Sequence, residues 1–224
     1  MILAIKLHLG SPLALPKRGV LLGDALLHAA ATRLLYPDAA HRTPDQWAPI
    51  SLPVKTVETE AGPMYAVSAM RTSRMVRHTD TIYKRTWKQF RENERKSGPL
   101  KASMTQLDLV AVPYLEFLVD SDQIDDLHPL VDRLSHMAVG FKTSAGYGQI
   151  VRVAVTRSEA PSALADIDGT VLRPIPSEYA EAHGYRGVKR LHAVAPPYFA
   201  APEVLCIARD FEAIQWIHEG GKES

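Results

Sequence analysis

The chain has 224 residues, of which 46% are hydrophobic and 23% charged, the composition of an ordinary globular protein. No apolar run approaches the roughly 18 residues that span a bilayer, and the N-terminus lacks a signal-peptide pattern. We therefore expect a cytoplasmic protein without membrane contacts. The single cysteine, Cys206, excludes an internal disulfide and a thiolate metal cage, and its apolar neighbours predict a buried strand.

The net charge is only +1, but it is unevenly distributed. Residues 71–101 carry ten Lys/Arg against three Asp/Glu, a net charge of +7, whereas the remainder carries 16 basic against 22 acidic side chains, or −6. A basic segment on a mildly acidic body is the distribution expected of a protein that binds a polyanion. We refer to residues 71–104 as the basic limb.

The first predicted elements are a strand and a helix. The segment "ILAIKLHL" alternates and predicts a strand. The segment "GDALLHAAATRLLYP" predicts a helix that is capped by Gly23 or Asp24 and stopped by Pro37. Its predicted buried face consists of Leu27, Ala31, Leu34 and Leu35.

The following elements complete a predicted βαββαβ order. Two extended segments, "SLPVKTVET" and "MYAVSAM", precede the basic limb, and "LDLVAVPYLEFLVD" predicts a long strand after it. A helix is predicted from Pro129, and "QIVRVAV" predicts the last strand of the unit. The sequence thus favours an α+β fold, a ferredoxin-like (RRM-type) unit over residues 1–155 with the basic limb inserted between strands two and three. Residues 156–224 are predicted to form a β-rich C-terminal extension packed on it.

The basic limb has two stripes at helical spacing. At 100° per residue, one stripe contains Lys84, Lys88, Arg91 and Arg95, and a second contains Tyr83, Trp87 and Phe90. Cations of this kind bind phosphates, and aromatic rings stack on bases. The alternative is an exposed charged helix whose aromatic side chains only pack on the body.

A glycine-rich segment, "VGFKTSAGYGQIVRV", lies where the second helix leads into the last strand. Gly140, Gly146 and Gly148 permit positive φ and the close approach of another backbone, while Lys142, Thr143 and Ser144 offer one charge and two hydroxyl groups. The alternative is a helix C-cap followed by a tight turn. The segment lacks the third glycine of a dinucleotide fingerprint and the Gly-Lys-Ser/Thr of a P-loop.

Several segments together resemble one protein family. The opening "LLGDALLHAA", the basic insertion, "YAVSAM", "IYKRTW", "GYGQI", "LRPIP" and "APPYF" resemble the repeat-associated RNA-binding (RAMP) superfamily of CRISPR systems. The resemblance is greatest to the subunit of type IV effector complexes that caps the 5′ handle of the guide RNA. It covers residues 1–155 well and residues 156–205 loosely.

The resemblance implies a non-catalytic subunit without a cofactor that binds CRISPR guide RNA beside the backbone and large subunits of the complex. It leaves open whether the limb also contacts target DNA. The role would be RNA-guided defence against viruses and plasmids, with RNA read mainly by shape and backbone. The expected RNA-binding residues are Arg71, Arg74, Arg77, Lys84, Arg85, Trp87, Lys88 and Arg91 in the limb, and Gly140, Lys142, Thr143, Ser144, Gly146, Tyr147 and Gly148 in the glycine-rich segment.

Two alternatives remain open at the level of sequence. A metal-independent endoribonuclease of the same superfamily would use His28 as the general base, with Lys142 or Arg77 stabilising the developing charge. A ferredoxin-like ligand sensor or interaction module would not need the basic limb at all. The spacing of His, Asp and Glu predicts no metal site.

Overall fold

The computed structural model describes residues 1–16, 20–37, 50–84, 103–196, 198, 201–210 and 214–217. These residues form a mixed α/β structure with mostly antiparallel sheets and few helices. None of the described helices is both long and apolar enough to cross a membrane.

The described helices and strands have the following bounds. The helices are α1 (Gly23–Leu35), α2 (Ile124–Leu134) and α3 (Ser177–Ala182). The strands are β1 (Ile2–Leu9), β2 (Leu13–Ala14), β3 (Thr56–Thr59), β4 (Gly62–Tyr65), β5 (Arg71–Thr72), β6 (Val76–Lys84), β7 (Ser103–Ala111), β8 (Leu115–Asp120), β9 (Ile150–Arg157), β10 (Ile175–Pro176), β11 (Val188–His192), β12 (Val204–Ala208) and β13 (Gln215–Trp216).

The main sheet has five strands in the order β13-β5-β8-β1-β9, and its pairs are antiparallel except for the parallel pair of β13 with β5. Alternate residues of β1, Leu3, Ile5 and Leu7, are at most 5% exposed and share the largest core with apolar residues of α1 and α2. This alternation is the reason that β1 was predictable, because a strand with one buried face places every second side chain in the core. Both helices therefore cover the same face of the sheet.

Helix α1 differs from its prediction in two respects. Leu34 and Leu35 are 43% and 61% exposed, so the predicted buried face is wrong at its C-terminal end. Asp24 is not the cap, since the N-cap position is Leu22 and no side chain caps the helix. The Asp24 carboxylate is instead buried and engaged by a distant arginine, described below.

Helix α2 begins at Ile124 rather than at Pro129, which lies inside the helix. Two features favour the earlier start. Leu127 is 2% exposed in the core, and Asp125 and Asp126 lie in the first turn, where carboxylates interact favourably with the positive end of the helix dipole.

The predicted strand "LDLVAVPYLEFLVD" is two strands in two sheets. β7 ends at Ala111, and β8 begins at Leu115, with Pro113 between them. A proline lacks the N–H that a continuous ladder requires, so the chain leaves one sheet here and enters the other. β7 belongs to a three-stranded sheet of order β2-β7-β6, whereas β8 lies in the main sheet.

Strands β6 and β7 form a long hairpin at the base of the basic limb. Their register runs from Val76 opposite Ala111 to Lys84 opposite Ser103. Tyr83 and Lys84 were predicted to begin the helix of the limb, and the structure corrects this, because cross-strand pairing continues through both residues. The remainder of the predicted helix, residues 85–102, lies outside the described residues.

The C-terminal extension has its own small core. Strands β10, β12 and β11 form a three-stranded sheet, and a second cluster of buried side chains joins it to Met64 and Ala66 in and beside β4. Cys206 lies fully buried on β12, in agreement with the sequence prediction, and burial raises the pKa of its thiol to about 11.

A buried arginine attaches this extension to α1. Arg173 and Asp24 are both 0% exposed and are joined by a 2.9 Å ion pair. Arg173 also donates to the carbonyl oxygens of Tyr65 (2.8 Å) and Val194 (2.7 Å), and Tyr198 donates to Asp24 at 2.6 Å. The segments "LLGDALLHAA", "YAVSAM", "LRPIP" and "APPYF" therefore meet at one buried network. The contribution of Arg173 and Asp24 is structural, since both side chains are fully buried.

Candidate nucleic-acid interface

The glycine loop, residues 139–149, connects α2 to β9 and packs against β2. The amide of Phe141 donates to the carbonyl of Ala14 at 2.8 Å, and the amide of Gly148 donates to the carbonyl of Pro12 at 2.9 Å. Because β2 pairs with β7, the glycine loop lies at the base of the basic limb. The two segments that the sequence singled out are therefore neighbours in space.

Two of the three glycines are explained by contacts within the chain. Gly140 and Gly148 both have positive φ, +93° and +65°. A Cβ on Gly140 would collide with Leu13 and lie 2.7 Å from the carbonyl oxygen of Ala14, and a Cβ on Gly148 would collide with the carbonyl oxygen of Val139. The backbone that approaches these glycines is the protein's own, so the local-turn interpretation holds for both.

The outer turn of the loop differs in its surroundings. Gly146 has φ +91°, and a Cβ placed on it would meet no atom within 4 Å. Lys142 has a left-handed backbone with φ 56°, and Thr143–Ala145 form one 3₁₀ turn whose side chains are exposed. Within the described chain, the amides of Thr143 and Ser144 donate to no acceptor. This turn presents its donors and the Lys142 ammonium group to solvent.

A side-chain hydrogen bond joins the glycine loop to the described part of the limb. The hydroxyl of Tyr147 donates to the Asp80 carboxylate on β6 at 2.8 Å. That bond is the main cause that lowers the pKa of Asp80, and it raises the pKa of Tyr147. Tyr147 and Ile82 also pack on the buried Leu107 and Leu109. Sequence reasoning counted Asp80 only as a negative charge in the limb, because nothing local signals a partner 67 residues away.

The predicted RNA-binding residues of the limb fall into four groups, and Arg71 forms one of them by itself. Arg74 and Arg77 are exposed at the base of the hairpin, with Arg77 on β6. Lys84 ends β6. The other predicted RNA-binding residues of the limb, Arg85, Trp87, Lys88 and Arg91, lie outside the described residues.

Arg71 is engaged inside the main sheet. Its guanidinium donates to the Glu116 carboxylate at 2.6 and 3.0 Å, and the two side chains are only 15% and 7% exposed. Lys6 approaches the same carboxylate at 3.4 Å. A largely desolvated ion pair of this kind stabilises the pairing of β5 with β8, so Arg71 is less available to a ligand than the exposed Arg74.

The groups required for catalysis are sparse in the described chain. His28 lies on α1, half-buried, and burial lowers the pKa of its ring. Its backbone carbonyl accepts a 2.8 Å hydrogen bond from the Thr32 hydroxyl. Among the described residues, no cluster of three or more His, Cys, Asp or Glu side chains has the arrangement of a metal site.

Comparisons with known proteins give a distant similarity. No family model and no curated protein matches the chain. Eighteen chains of solved structures match, one of them in the cryo-EM structure of the Type III-B Cmr-beta bound to cognate target RNA. That match has a TM-score of 0.36 and 12% identity, and it covers 70% of this chain but only 60% of the other. A similarity this distant assigns neither family nor function.

Proposed function

We propose that the chain is a non-catalytic RNA-binding subunit of a CRISPR effector ribonucleoprotein, of the RAMP superfamily. In its finer form, the proposal is that the chain holds the 5′ handle of the guide RNA in a cytoplasmic type IV complex. It would act beside the backbone and large subunits and need no cofactor. The sequence resemblance described above motivates the family, and the geometry of the described residues supports RNA as the ligand class.

The observation that carries the proposal is the contact between the glycine loop and the limb. The Tyr147–Asp80 hydrogen bond places the exposed turn around Lys142 beside β6, the strand that leads into the most basic part of the chain. Exposed donors on one element and cations on the other form a surface that suits a phosphodiester backbone. Neither element alone has this property.

The strand order supports the fold part of the proposal. Strands β9, β1, β8 and β5 are adjacent in that order, α1 follows β1 and α2 follows β8. This is the strand order that the proposed ferredoxin-like unit would have. The hairpin of β6 and β7 lies between β5 and β8 in the chain, which supports an insertion before the third strand of the proposed unit.

The first experiment is to purify the tagged chain from its own host and sequence the bound RNA. We expect short RNAs that share one repeat-derived 5′ end and differ downstream. An absence of RNA, or RNA without a common end, would overturn the guide-binding proposal.

The contribution of the limb is tested by the salt dependence of RNA binding. Replacement of Lys84, Lys88 and Arg91 by alanine should weaken binding and reduce the slope of log K against log salt by about 0.7 per lost phosphate contact. Trp87→Ala should weaken binding with nearly unchanged slope, because stacking on a base releases no counterions. As the control, Arg186→Ala changes an exposed cation of the C-terminal extension and should alter neither value. Equal slopes for the triple variant and the wild type would refute the phosphate contacts.

The non-catalytic part of the proposal is tested at His28. Because this side chain is half-buried on α1, we propose that it packs rather than transfers protons. His28→Gln should leave the yield of mature guide RNA in the host unchanged. Loss of mature guides, with RNA binding retained, would favour the endoribonuclease alternative.

A further inference from the structure

A second surface lies behind the 3₁₀ turn of the glycine loop. A cleft of about 470 Å³ opens between the end of α1, the connection from α2 to β9, and the first residues of β9. Its polar walls are formed by Arg33, His136, Thr143, Ser144 and Gln149. Only the two hydroxyl residues belong to the RNA-binding residues expected from the sequence.

The charge of the cleft favours an anion. Arg33 is exposed at the C-terminal end of α1, and His136 is exposed just after α2. Among the described residues that line the cleft, none is Asp or Glu. An unopposed guanidinium in a concave surface attracts phosphate and can donate two parallel hydrogen bonds to it.

Ser135 also lines the cleft and donates to the carbonyl of Asp132 at 2.7 Å, but the other polar side chains of the cleft are not used for internal structure. Within the described part of the chain, the side chains of Arg33, His136, Thr143, Ser144 and Gln149 make no hydrogen bond or ion pair with one another or with other described residues. By contrast, Arg71 and Arg173 are fully engaged by partners. These donors are thus available to a ligand. They are the guanidinium of Arg33, the hydroxyls of Thr143 and Ser144, and the carboxamide of Gln149.

Part of the cleft lining is apolar, although its exposed surface is mostly polar. Met137 and Ile150 are 6% and 4% exposed and form part of its lining, and the adjoining Val151 is 62% exposed on β9. A surface that is apolar below and polar on its walls matches a nucleotide, whose base has two apolar faces and whose ribose and phosphate are polar. The volume is at the lower end of the range of ligand pockets, roughly 300–1,000 Å³, and suits one nucleotide rather than a duplex.

We propose that this cleft binds one nucleotide of the bound RNA, with the phosphate at Arg33 and the Thr143 and Ser144 hydroxyls, and the base against Met137 and Val151. This inference rests on the proposed function and extends it, because it adds residues of α1 and β9 to the interface. The 3₁₀ turn of the glycine loop connects the two surfaces, because Lys142 lies at its start and its Thr143 and Ser144 line the cleft. An RNA strand that crosses this turn would pass from the limb into the cleft.

The test uses the full chain and a synthetic 12-nucleotide RNA with 4-thiouridine placed at each position in turn. After irradiation, mass spectrometry should find one RNA position cross-linked to residues 136–151, and Arg33→Ala should reduce that yield at least fivefold. Arg33→Ala should also raise the Kd for RNA by roughly tenfold, the size of one charge-assisted hydrogen bond. The matched control is Arg186→Ala, another exposed arginine. Because Arg33 is exposed, the variant should unfold at the same temperature as the wild type.

Uridine monophosphate is the second probe. It distinguishes a cleft that binds a nucleotide of the RNA strand from a cleft that binds free nucleotides. If the wild type binds the RNA but neither the cross-link nor the effect of Arg33→Ala appears, the cleft assignment is overturned while the proposed function stands. If the wild type binds uridine monophosphate in an Arg33-dependent way but binds no RNA, the cleft takes free nucleotides, and both the RNA assignment and the proposed function fail. A position-specific cross-link that is lost in Arg33→Ala supports the inference.

Discussion

Replacement of the buried Arg173 should destabilise the protein more than any surface change. Arg173 is fully buried and paired with a fully buried carboxylate, Asp24. Burial by itself lowers the pKa of the guanidinium, but Asp24 and Tyr198 raise it above its usual range, so Arg173 is positively charged. In Arg173→Met, the buried Asp24 carboxyl group loses its ion-pair partner and keeps only the Tyr198 hydroxyl as a donor, and the Val194 carbonyl loses a 2.7 Å donor.

The expected magnitude follows from this geometry. Removal of one partner of a buried ion pair costs about 3–5 kcal/mol, because the remaining charge stays desolvated. At about 2–4 °C per kcal/mol for a chain of this size, Tm should fall by roughly 6–20 °C. Replacement of both partners, Asp24→Leu with Arg173→Met, should recover much of the loss, since no unpaired charge then remains.

The assay is urea unfolding followed by tryptophan fluorescence, with Lys189→Met as the control. Lys189 and Glu181 form a 2.7 Å pair in which both side chains are more than half exposed, so its loss should cost at most about 1 kcal/mol. The reasoning is refuted if Arg173→Met is as mild as Lys189→Met. It is also refuted if the double variant is as unstable as the sum of its two single variants.

Three further predictions concern the glycine loop. Gly148→Ala should lower the free energy of unfolding by more than about 2 kcal/mol, and Gly146→Ala by only about 1 kcal/mol. Both glycines have positive φ, but only a Cβ on Gly148 would collide with backbone, at Val139, so equal free energies of unfolding would contradict this prediction. Tyr147→Phe should weaken RNA binding without changing its salt slope, since it releases the loop from β6 but removes no charge, and a changed slope would exclude this explanation. Because the hydrogen bond from Tyr147 lowers the pKa of Asp80, this bond should be present above the ordinary carboxyl pKa of about 3.9 and lost as the pH falls below it. Hydrogen exchange of the glycine loop should then rise in the wild type but not in Tyr147→Phe.

Features that depend on local pattern could be predicted from the sequence. The alternation of β1, the helix that begins at Gly23, the buried strand around Cys206 and the positive φ of the glycines all follow from periodicity or from the properties of one residue type. The uneven charge of the chain is likewise independent of its fold. These features were sufficient to select the glycine loop and the basic limb as candidate sites.

Features that depend on long-range pairing were decided only by the tertiary structure. Pro113 divides an apparently single strand between two sheets, and α2 begins a turn and a half before Pro129 because burial of Leu127 outweighs the preference of proline for a first turn. Asp24 caps no helix, since it neutralises an arginine 149 residues away. Sequence periodicity carries no information about such partners.

The same distinction applies to the candidate site. The sequence by itself determined which residues are basic, which are glycines and where they cluster along the chain. The tertiary structure decided that Arg71 is held by Glu116, that Gly140 and Gly148 accommodate β2 and Val139, and that the hydroxyl residues of the loop face a cleft with Arg33. The physical reason is that charge and backbone freedom belong to a residue, whereas availability to a ligand depends on the neighbours that folding provides.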